Sequence, residues 1–284
     1  VSIKGAIDSI SLPVDQIDEV IVGNVIAAGQ GMNVGRQASI FADIPAEVPA
    51  YTVNMVCGSG MKVVMDAVSH IRAGDAQVVV AAGVEVMSQI PFTAPAVMRQ
   101  GQKMGNLALT DLLINDGLTD VFNQYHMGVT AENVAKKVGV SRQEQDEYAL
   151  ASQQKAVSAI EAGRFVDEIV PVEIVSRRGT TEFSVDEYPK SDESYAALSG
   201  LRPAFDKEGT ITAANASQLS DGGSAVVMMS ERFVKDRGVK ALGQVVSYGM
   251  VAGPDNASLL TQPSRAIMKA LSKVGMSVSD INLF

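Results

Sequence analysis

Apolar runs rich in β-branched residues, each followed by a helical pattern, recur through the first part of this chain. Residues 19–25, 51–56 and 77–83 have the composition of buried strands. Residues 34–41 and the segment after Cys57 instead place apolar side chains at helical spacing. Alternation of this kind is typical of βα units. The sequence therefore predicts an α/β fold built on a largely covered sheet.

The pattern changes near residue 88, where Met, Gly, Asn and Gln become frequent and the alternation stops until about residue 123. A helical stretch follows. Ser141 and Glu144 have the spacing of a capping box, which predicts a helix that begins there and runs to Ala162, before Gly163.

Further along, residues 222–229 resume the buried-strand pattern, 245–250 predict another strand, and 264–274 predict a helix. We therefore expect an α/β domain interrupted by an insertion. The predicted parts are an N-terminal α/β domain (1–87 and 220–241), an inserted loop domain (88–219), and the start of a second α/β domain (242–284).

The composition excludes several classes of protein. With 23 basic against 32 acidic residues the formal charge is −9, the wrong sign for a nucleic-acid binder. No apolar run approaches the roughly 20 residues that span a bilayer, so we expect no membrane association. One cysteine cannot form an internal disulfide, which favours a reducing, cytoplasmic location.

The two ends of the chain suggest that it belongs to a longer one. The sequence begins at Val1 without a start methionine or an apolar signal core, and residues 280–284 have a strand-like pattern with no closing turn. We therefore expect truncation at both ends.

The single cysteine, Cys57, follows a predicted strand and precedes a predicted helix. The amide groups and the dipole at a helix N-terminus favour a thiolate there, and the neighbouring Gly58 and Gly60 let a backbone or a ligand come close. Free cysteines are also commonly small buried hydrophobic residues. From the residues alone, Cys57 is either a reactive thiol or a packed core residue.

Five segments around and after Cys57 resemble motifs of the thiolase family, in the order that the family has them. The resemblance is to the biosynthetic type, the acetyl-CoA acetyltransferases, and its overall pattern covers nearly the whole chain. The matching segments are Asn-Met-Val-Cys-Gly-Ser-Gly (54–60), Gly-Val-Glu-Val-Met-Ser (83–88), Tyr-His-Met-Gly-Val-Thr-Ala-Glu-Asn (125–133), Arg-Pro-Ala-Phe-Asp-Lys-Glu-Gly-Thr (202–210) and Asn-Ala-Ser (215–217).

This resemblance implies a five-layered αβαβα thiolase fold whose C-terminal half lies largely outside these residues. It implies that Cys57 is the catalytic nucleophile, which takes an acetyl group from acetyl-CoA and passes it to a second acetyl-CoA. The product of this Claisen condensation is acetoacetyl-CoA, and the reverse reaction is thiolysis. The reaction splits into two acyl transfers, which suits a thiol. CoA thioesters are then the substrates, and no metal or other cofactor is implied.

The resemblance also implies a set of substrate-binding residues. His126 and Met127 match a loop over the catalytic cavity, and Ser217 matches a serine that binds the pantetheine arm of CoA. Lys190 stands where the family usually has an arginine near the adenine, so the charge is kept but the planar stacking is lost. Residues that match the lining of the CoA channel are Leu118, Leu201, Ala204, Phe205 and Ala213.

This chain departs from the family pattern at two further points. Gln218 stands where the family more often has glycine. The Asn-Glu-Ala-Phe, Gly-His-Pro and Cys-x-Gly-Gly-Gly motifs of a complete thiolase are not among these residues, and we expect the first of them just past Phe284.

The alternatives to an acetyl-CoA acetyltransferase are a degradative 3-ketoacyl-CoA thiolase and a non-catalytic acyl-CoA-binding subunit. Residues 91–117 resemble the tetramerisation loop of the biosynthetic type, which implies a homotetramer.

Overall fold

A computed structural model describes residues 1–284, apart from the side chain of Asn256. The chain separates into two compact units: unit 1 contains residues 1–119, 219–248 and 270–284, and unit 2 contains residues 120–218 and 249–269. These units follow from contacts within the chain. The domain limits given above stay a prediction.

Helices and strands alternate through unit 1, and helices dominate unit 2. The helices are α1 (Ser2–Asp8), α2 (Val34–Phe41), α3 (Ser59–Ala73), α4 (Met127–Val138), α5 (Arg142–Glu161), α6 (Tyr195–Ser199), α7 (Glu231–Arg237) and α8 (Gln262–Ser272). The strands are β1 (Glu19–Gly23), β2 (Ala50–Val53), β3 (Val78–Val86), β4 (Phe92–Thr93), β5 (Thr110–Asp111), β6 (Thr119–Asp120), β7 (Tyr125–His126), β8 (Val172–Ser176), β9 (Gly179–Phe183) and β10 (Asp221–Met229).

The main sheet of unit 1 has the strand order β10-β3-β1-β2. Strand β1 is parallel to β2 and β3, with Val20 opposite Ala50 and Val80, whereas β10 is antiparallel to β3. Because successive side chains of a strand point to opposite faces, Val20 packs in one core and Ile21 in the other. The predicted α/β fold is therefore confirmed.

Helices cover both faces of this sheet. On one face Val63 and Ala67 of α3 pack with Ile21 and Val79. On the other face the core includes two α1 residues, Ile3 and Ile7, together with valines of β1 and β3. Their burial provides the hydrophobic stabilisation of unit 1. It also fixes the C-terminal ends of β1, β2 and β3, and the motif segments 54–60 and 83–88 lie at or just after the ends of β2 and β3.

In unit 2, α5 begins with the predicted capping box. The Ser141 hydroxyl accepts a hydrogen bond from the Glu144 amide (3.2 Å), and the Glu144 carboxylate accepts one from the Ser141 amide (2.8 Å). The Ser141 amide and hydroxyl donate to this carboxylate and hold the pKa of Glu144 below its usual value. Helix α5 ends at Glu161, one residue before the predicted end.

Two sequence predictions of secondary structure are wrong. Residues 245–250 form no strand; a strand needs a neighbour to satisfy its backbone, and here side chains bind the backbone instead. Lys273 donates to the Tyr248 carbonyl at 2.9 Å and Arg72 to the Val246 carbonyl at 3.4 Å. Residues 280–284 form no strand either: a 3₁₀ turn covers Val278–Asp280, and residues 281–284 belong to no helix or strand.

Among the described residues, no helix combines the length and the apolar character that crossing a membrane requires.

Candidate active site

Cys57 lies in the turn between β2 and α3, two residues before the first residue of the helix. It is exposed in this chain and belongs to neither hydrophobic core of unit 1. Helix α3 ends with Gly74 in the left-handed conformation (φ 86°) as its C-cap. The exposed thiol therefore stands at the N-terminal end of a fifteen-residue helix, where the helix dipole favours negative charge.

The start of α3 lies directly against the end of β1. A Cβ atom on Gly23 would be 2.9 Å from the Ser59 carbonyl carbon, so this position admits only glycine without a shift of the backbone. By contrast, a Cβ atom on Gly60 would meet nothing within 4 Å. The close approach at Gly23 fixes the first turn of α3, and with it the height of Cys57 above the sheet.

Glu85, in the second of the thiolase-like motifs, holds the segment that follows β1. Its carboxylate accepts hydrogen bonds from the Val25 amide (2.9 Å), the Ile26 amide (3.1 Å) and the Asn24 side chain (3.1 Å). A carboxylate with three donors is strongly oriented. The motif residue thus fixes the backbone beyond the C-terminal end of β1.

Ser88, in the same motif, binds the start of β10. Its amide and its hydroxyl donate to the two carboxylate oxygens of Asp221, at 2.9 and 2.5 Å. Both hydrogen bonds hold the pKa of Asp221 below its usual value, and the bond from the hydroxyl has the larger effect. This pair closes the antiparallel end of the sheet.

His126 is the N-cap residue of α4 in unit 2. Its Nδ1 accepts the Gly128 amide at 3.0 Å, and its ring stacks on Phe205 with centroids 4.8 Å apart and planes at 19°. A neutral imidazole that accepts at Nδ1 carries its proton on Nε2. His126 therefore presents a fixed donor beside an aromatic face. Met127, the first residue of α4, is half-buried.

Glu132 of α4 anchors the segment that carries Phe205. Its carboxylate accepts from the Thr210 amide (2.8 Å), the Thr210 hydroxyl (3.0 Å) and the Ile211 amide (2.7 Å). The Ile211 carbonyl in turn accepts the Ala204 amide at 2.8 Å. Two of the thiolase-like motifs, which are distant in the sequence, are thus joined at one carboxylate.

The buried carboxylate of Asp146 fixes the loop that bears Ser217. Asp146 of α5 is completely buried and accepts from Arg142 Nε (2.7 Å) and from the Asn215 side chain (3.0 Å). Arg142 also donates to the carbonyl oxygens of Leu198 and Leu201. One helix therefore positions both the 198–201 segment and the 215–217 segment.

Unit 2 contains a cavity of about 680 Å³ beside α5, a volume within the range of small-molecule sites. Ser217 lines it. Other lining residues include Gln145, Tyr148, Gln153, Tyr188 and Pro189. The Lys190 amide, next to the cavity, donates to Gln153 Oε1 at 3.0 Å, and its ammonium lies 3.5 Å from Glu193 and 6.0 Å from the Tyr188 ring centroid.

The structure brings some of the predicted site residues together. His126 and Phe205 are in contact, and Ser217 lines the cavity. Leu201, Ala204 and Ala213 are exposed. All except Cys57 and Leu118 belong to unit 2; Leu118 is half-buried at the end of a π-helical turn, Leu113–Leu118, in unit 1.

Several residues at these sites were not singled out from the sequence. Asp146, Tyr148 and Tyr188 lie outside the motif segments of the sequence. Glu132 lies inside a motif, but no neighbouring residue in the sequence indicates that it binds Thr210 and Ile211. Their hydrogen bonds and cavity positions depend on contacts across the fold.

An α/β sheet covered by helices, with an exposed thiol at a strand-to-helix turn, defines an enzyme architecture suited to nucleophilic acyl transfer. The comparisons identify the family. Residues 1–232 match the family model described as "Thiolase, N-terminal domain". The chain belongs to the thiolase family.

Matches to relatives cover almost the whole chain. It is 49% identical over 284 residues to the acetyl-CoA acetyltransferase of Cupriavidus necator, a match that spans 100% of this chain and 72% of the relative. It is 47% identical over 282 residues to the acetyl-CoA acetyltransferase of Pseudomonas aeruginosa, with 99% of this chain and 71% of the relative covered.

The solved structures agree with the sequence relatives. The crystal structure of the Bacillus anthracis acetyl-CoA acetyltransferase superposes with a TM-score of 0.94 at 40% identity, and the match covers 99% of this chain and 71% of that one. The thiolase fold that the motifs implied is therefore confirmed for the residues described.

Proposed function

We propose that this chain carries the nucleophilic half of an acetyl-CoA acetyltransferase. The observation that carries the proposal is the exposed Cys57 at the N-terminal end of α3, in a chain 47–49% identical to acetyl-CoA acetyltransferases. The thiol must stay reduced to act as a nucleophile, which fits a cytoplasmic location.

The reaction proceeds by two acyl transfers. The Cys57 thiolate attacks the thioester carbon of acetyl-CoA, a Cys57–acetyl bond forms, and the CoA thiolate leaves and takes up a proton. A second acetyl-CoA loses a proton from its methyl carbon to a base. The resulting carbanion attacks the acetyl-Cys57 carbonyl carbon, the Cys57 thiolate leaves, and acetoacetyl-CoA is formed. The N-terminal end of α3 stabilises the thiolate in both its attacking and leaving roles.

Coenzyme A is bound by unit 2 in this proposal. The fixed Nε2–H donor of His126, stacked on Phe205, suits the amide-rich pantetheine arm. Ser217 offers a hydroxyl at the edge of the cavity, and the lining tyrosines Tyr148 and Tyr188 offer aromatic faces for an adenine. Lys190 supplies positive charge at the nucleotide end, and Met127 limits the space for the acyl group.

The acetyl-enzyme intermediate provides the direct test. The full-length protein is incubated with acetyl-CoA, digested, and the peptide that contains Cys57 is analysed by mass spectrometry. We expect one acetyl group on Cys57. We also expect that iodoacetamide alkylates Cys57 faster than it alkylates a thiol of the unfolded chain, and that acetyl-CoA protects it.

Two variants serve as the comparison. Cys57→Ala is expected to lose both the acetyl label and acetoacetyl-CoA synthesis. Ser9→Ala, at an exposed surface position, is expected to keep both. An acetylated Cys57→Ala protein, or a Cys57 that alkylates at the rate of the unfolded thiol, would remove the nucleophile assignment.

A further inference from the structure

The turn that presents Cys57 contains a strained residue. Val56 has φ 49°, in the left-handed region. For a β-branched residue this conformation is a genuine outlier, because Cβ crowds the backbone. Val56 is 49% exposed, so burial of its side chain does little to offset the strain. Such a conformation persists only where surrounding contacts impose it.

Asn54 and Ser59 supply those contacts. The Val56 amide donates to Asn54 Oδ1 at 2.9 Å, and the Val56 carbonyl accepts from the Ser59 hydroxyl at 2.7 Å and from the Ser59 amide at 3.0 Å. The same hydroxyl accepts the Met55 amide at 2.8 Å. The backbone amide and the backbone carbonyl of Val56 are therefore both held by hydrogen bonds to residues on either side of it.

The turn is also tied to the sheet. Asn54 Nδ2 donates to the Val25 carbonyl at 3.0 Å, and the Val25 amide donates to Glu85 at 2.9 Å. Glu85 belongs to β3, and Val25 follows β1. A continuous chain of hydrogen bonds thus runs from the ends of two central strands, through the Asn54 side chain, to the residue that precedes Cys57.

We propose that Asn54 is a positioning residue for the nucleophile: with Ser59 it holds Val56 in the left-handed conformation, and this conformation sets the direction of the Cys57 thiol. The inference rests on the proposed role of Cys57. Without Asn54 the backbone at Val56 relaxes to negative φ, and the thiol moves relative to α3 and to the incoming thioester. A displacement of about 1 Å in a reacting group costs about 100-fold in rate.

The test uses the full-length protein and the rate of Cys57 acetylation by acetyl-CoA. Asn54→Ala is expected to lower this rate by about 10- to 100-fold while the KM for acetyl-CoA changes by less than about twofold. Asn54→Asp keeps the acceptor for the Val56 amide but loses the donor to Val25, and an intermediate loss is expected.

Rescue separates positioning from a general structural role. Glycine adopts positive φ without strain. Adding Val56→Gly to the Asn54→Ala variant is therefore expected to raise the rate of Cys57 acetylation by about tenfold. Val56→Ala keeps a Cβ atom and is expected to restore little. Equal recovery by glycine and alanine, or an Asn54→Ala protein that acetylates at the original rate, would overturn the inference.

Two controls keep the outcome decisive. Circular dichroism shows whether Asn54→Ala folds. If it does not, the acetylation rates of two double variants are compared: one combines Asn54→Asp with Val56→Gly, and the other combines Asn54→Asp with Val56→Ala. Cys57→Ala is measured alongside. Loss of the label in Cys57→Ala with no effect at Asn54 refutes only the positioning role, whereas a label retained in Cys57→Ala refutes the proposed function itself.

Discussion

At the scale of single residues, the contact between His126 and Phe205 depends on a glycine between them in space. A Cβ atom on Gly128 would be 2.3 Å from the Phe205 ring, well inside van der Waals contact. Gly128 also donates its amide to His126. One position without a side chain thus permits both contacts of the histidine.

Gly128→Ala is therefore expected to separate the stacked rings. Overpacking at such a site costs about 1–3 kcal/mol. On the proposed function, we expect the KM for acetyl-CoA to rise by about tenfold or more in steady-state kinetics. Gly222→Ala is the matched control, because a Cβ atom there meets nothing within 4 Å. An unchanged KM in Gly128→Ala would show that the stacking of His126 on Phe205 does not contribute to coenzyme binding.

Met127 provides a second prediction at this scale. A methionine beside His126 would occupy the space that a longer acyl chain needs, and reshaping a packed side chain costs about 1–3 kcal/mol, or about ten- to a hundredfold in rate. We expect kcat/KM for cleavage of acetoacetyl-CoA to exceed greatly that for 3-ketohexanoyl-CoA, and Met127→Ala to narrow the difference. Met32→Ala, 92% exposed, should leave the ratio unchanged. Comparable values for four- and eight-carbon substrates would favour the degradative alternative.

At the scale of elements, helix α5 organises much of unit 2. Its capping box fixes where the helix begins, and Arg142 and Asp146, one turn apart, bind two loops that are remote in the sequence. The helix has little amphipathic character of its own: Asp146 is its fully buried residue, and most of its other side chains are half-buried or exposed. Polar contacts at its N-terminal end thus position the loops.

Asp146→Ala is expected to destabilise the protein by about 3 kcal/mol, because the Arg142 charge and the Asn215 amide lose their partner in a largely buried site. Urea unfolding followed by circular dichroism measures the loss. The matched control is Glu231→Ala, which breaks another i, i+4 ion pair, with Lys235, whose side chains are 74% and 71% exposed; a change within about 0.5 kcal/mol is expected there. Equal effects of the two substitutions would contradict the structural role of Asp146.

At the scale of the whole molecule, residues 91–117 bear on assembly. Strands β4 and β5 form a short antiparallel stem, and the segment between them exposes Met104 (88%) and Leu109 (63%). Exposed apolar side chains grouped on one loop are typical of an interaction site. This supports the homotetramer that the family resemblance implies, which we keep as a proposal.

Removing residues 96–108 and joining the stem with a short glycine linker tests this proposal. If the loop joins dimers into tetramers, light scattering of the purified full-length variant should give the mass of a dimer. Substitution of Met104 alone by serine should weaken the tetramer without abolishing folding. A deletion variant that keeps the mass of the original oligomer would rule out the loop as the assembly element.

The sequence predicts the four strands of the main sheet and the helices α2, α3, α5 and α8. The bounds of α2 and the capping box of α5 are predicted from the sequence and confirmed. Each depends on periodicity or on side chains within a few residues. The thiolase-like motifs likewise identified the family and the position of Cys57 at a strand-to-helix junction, because a motif is a local pattern.

Which side chains come into contact depends instead on the tertiary structure. His70, in the last turn of α3, has Nδ1 2.6 Å from a Glu19 carboxylate oxygen, 51 residues away. Residues 245–250 have a strand-like composition but bind side chains from elsewhere. The left-handed conformation of Val56 also depends on Asn54, which the sheet holds through Val25. Local patterns fix local backbone preferences, whereas a hydrogen bond between distant residues exists only after the chain has packed, and no spacing in the sequence specifies it.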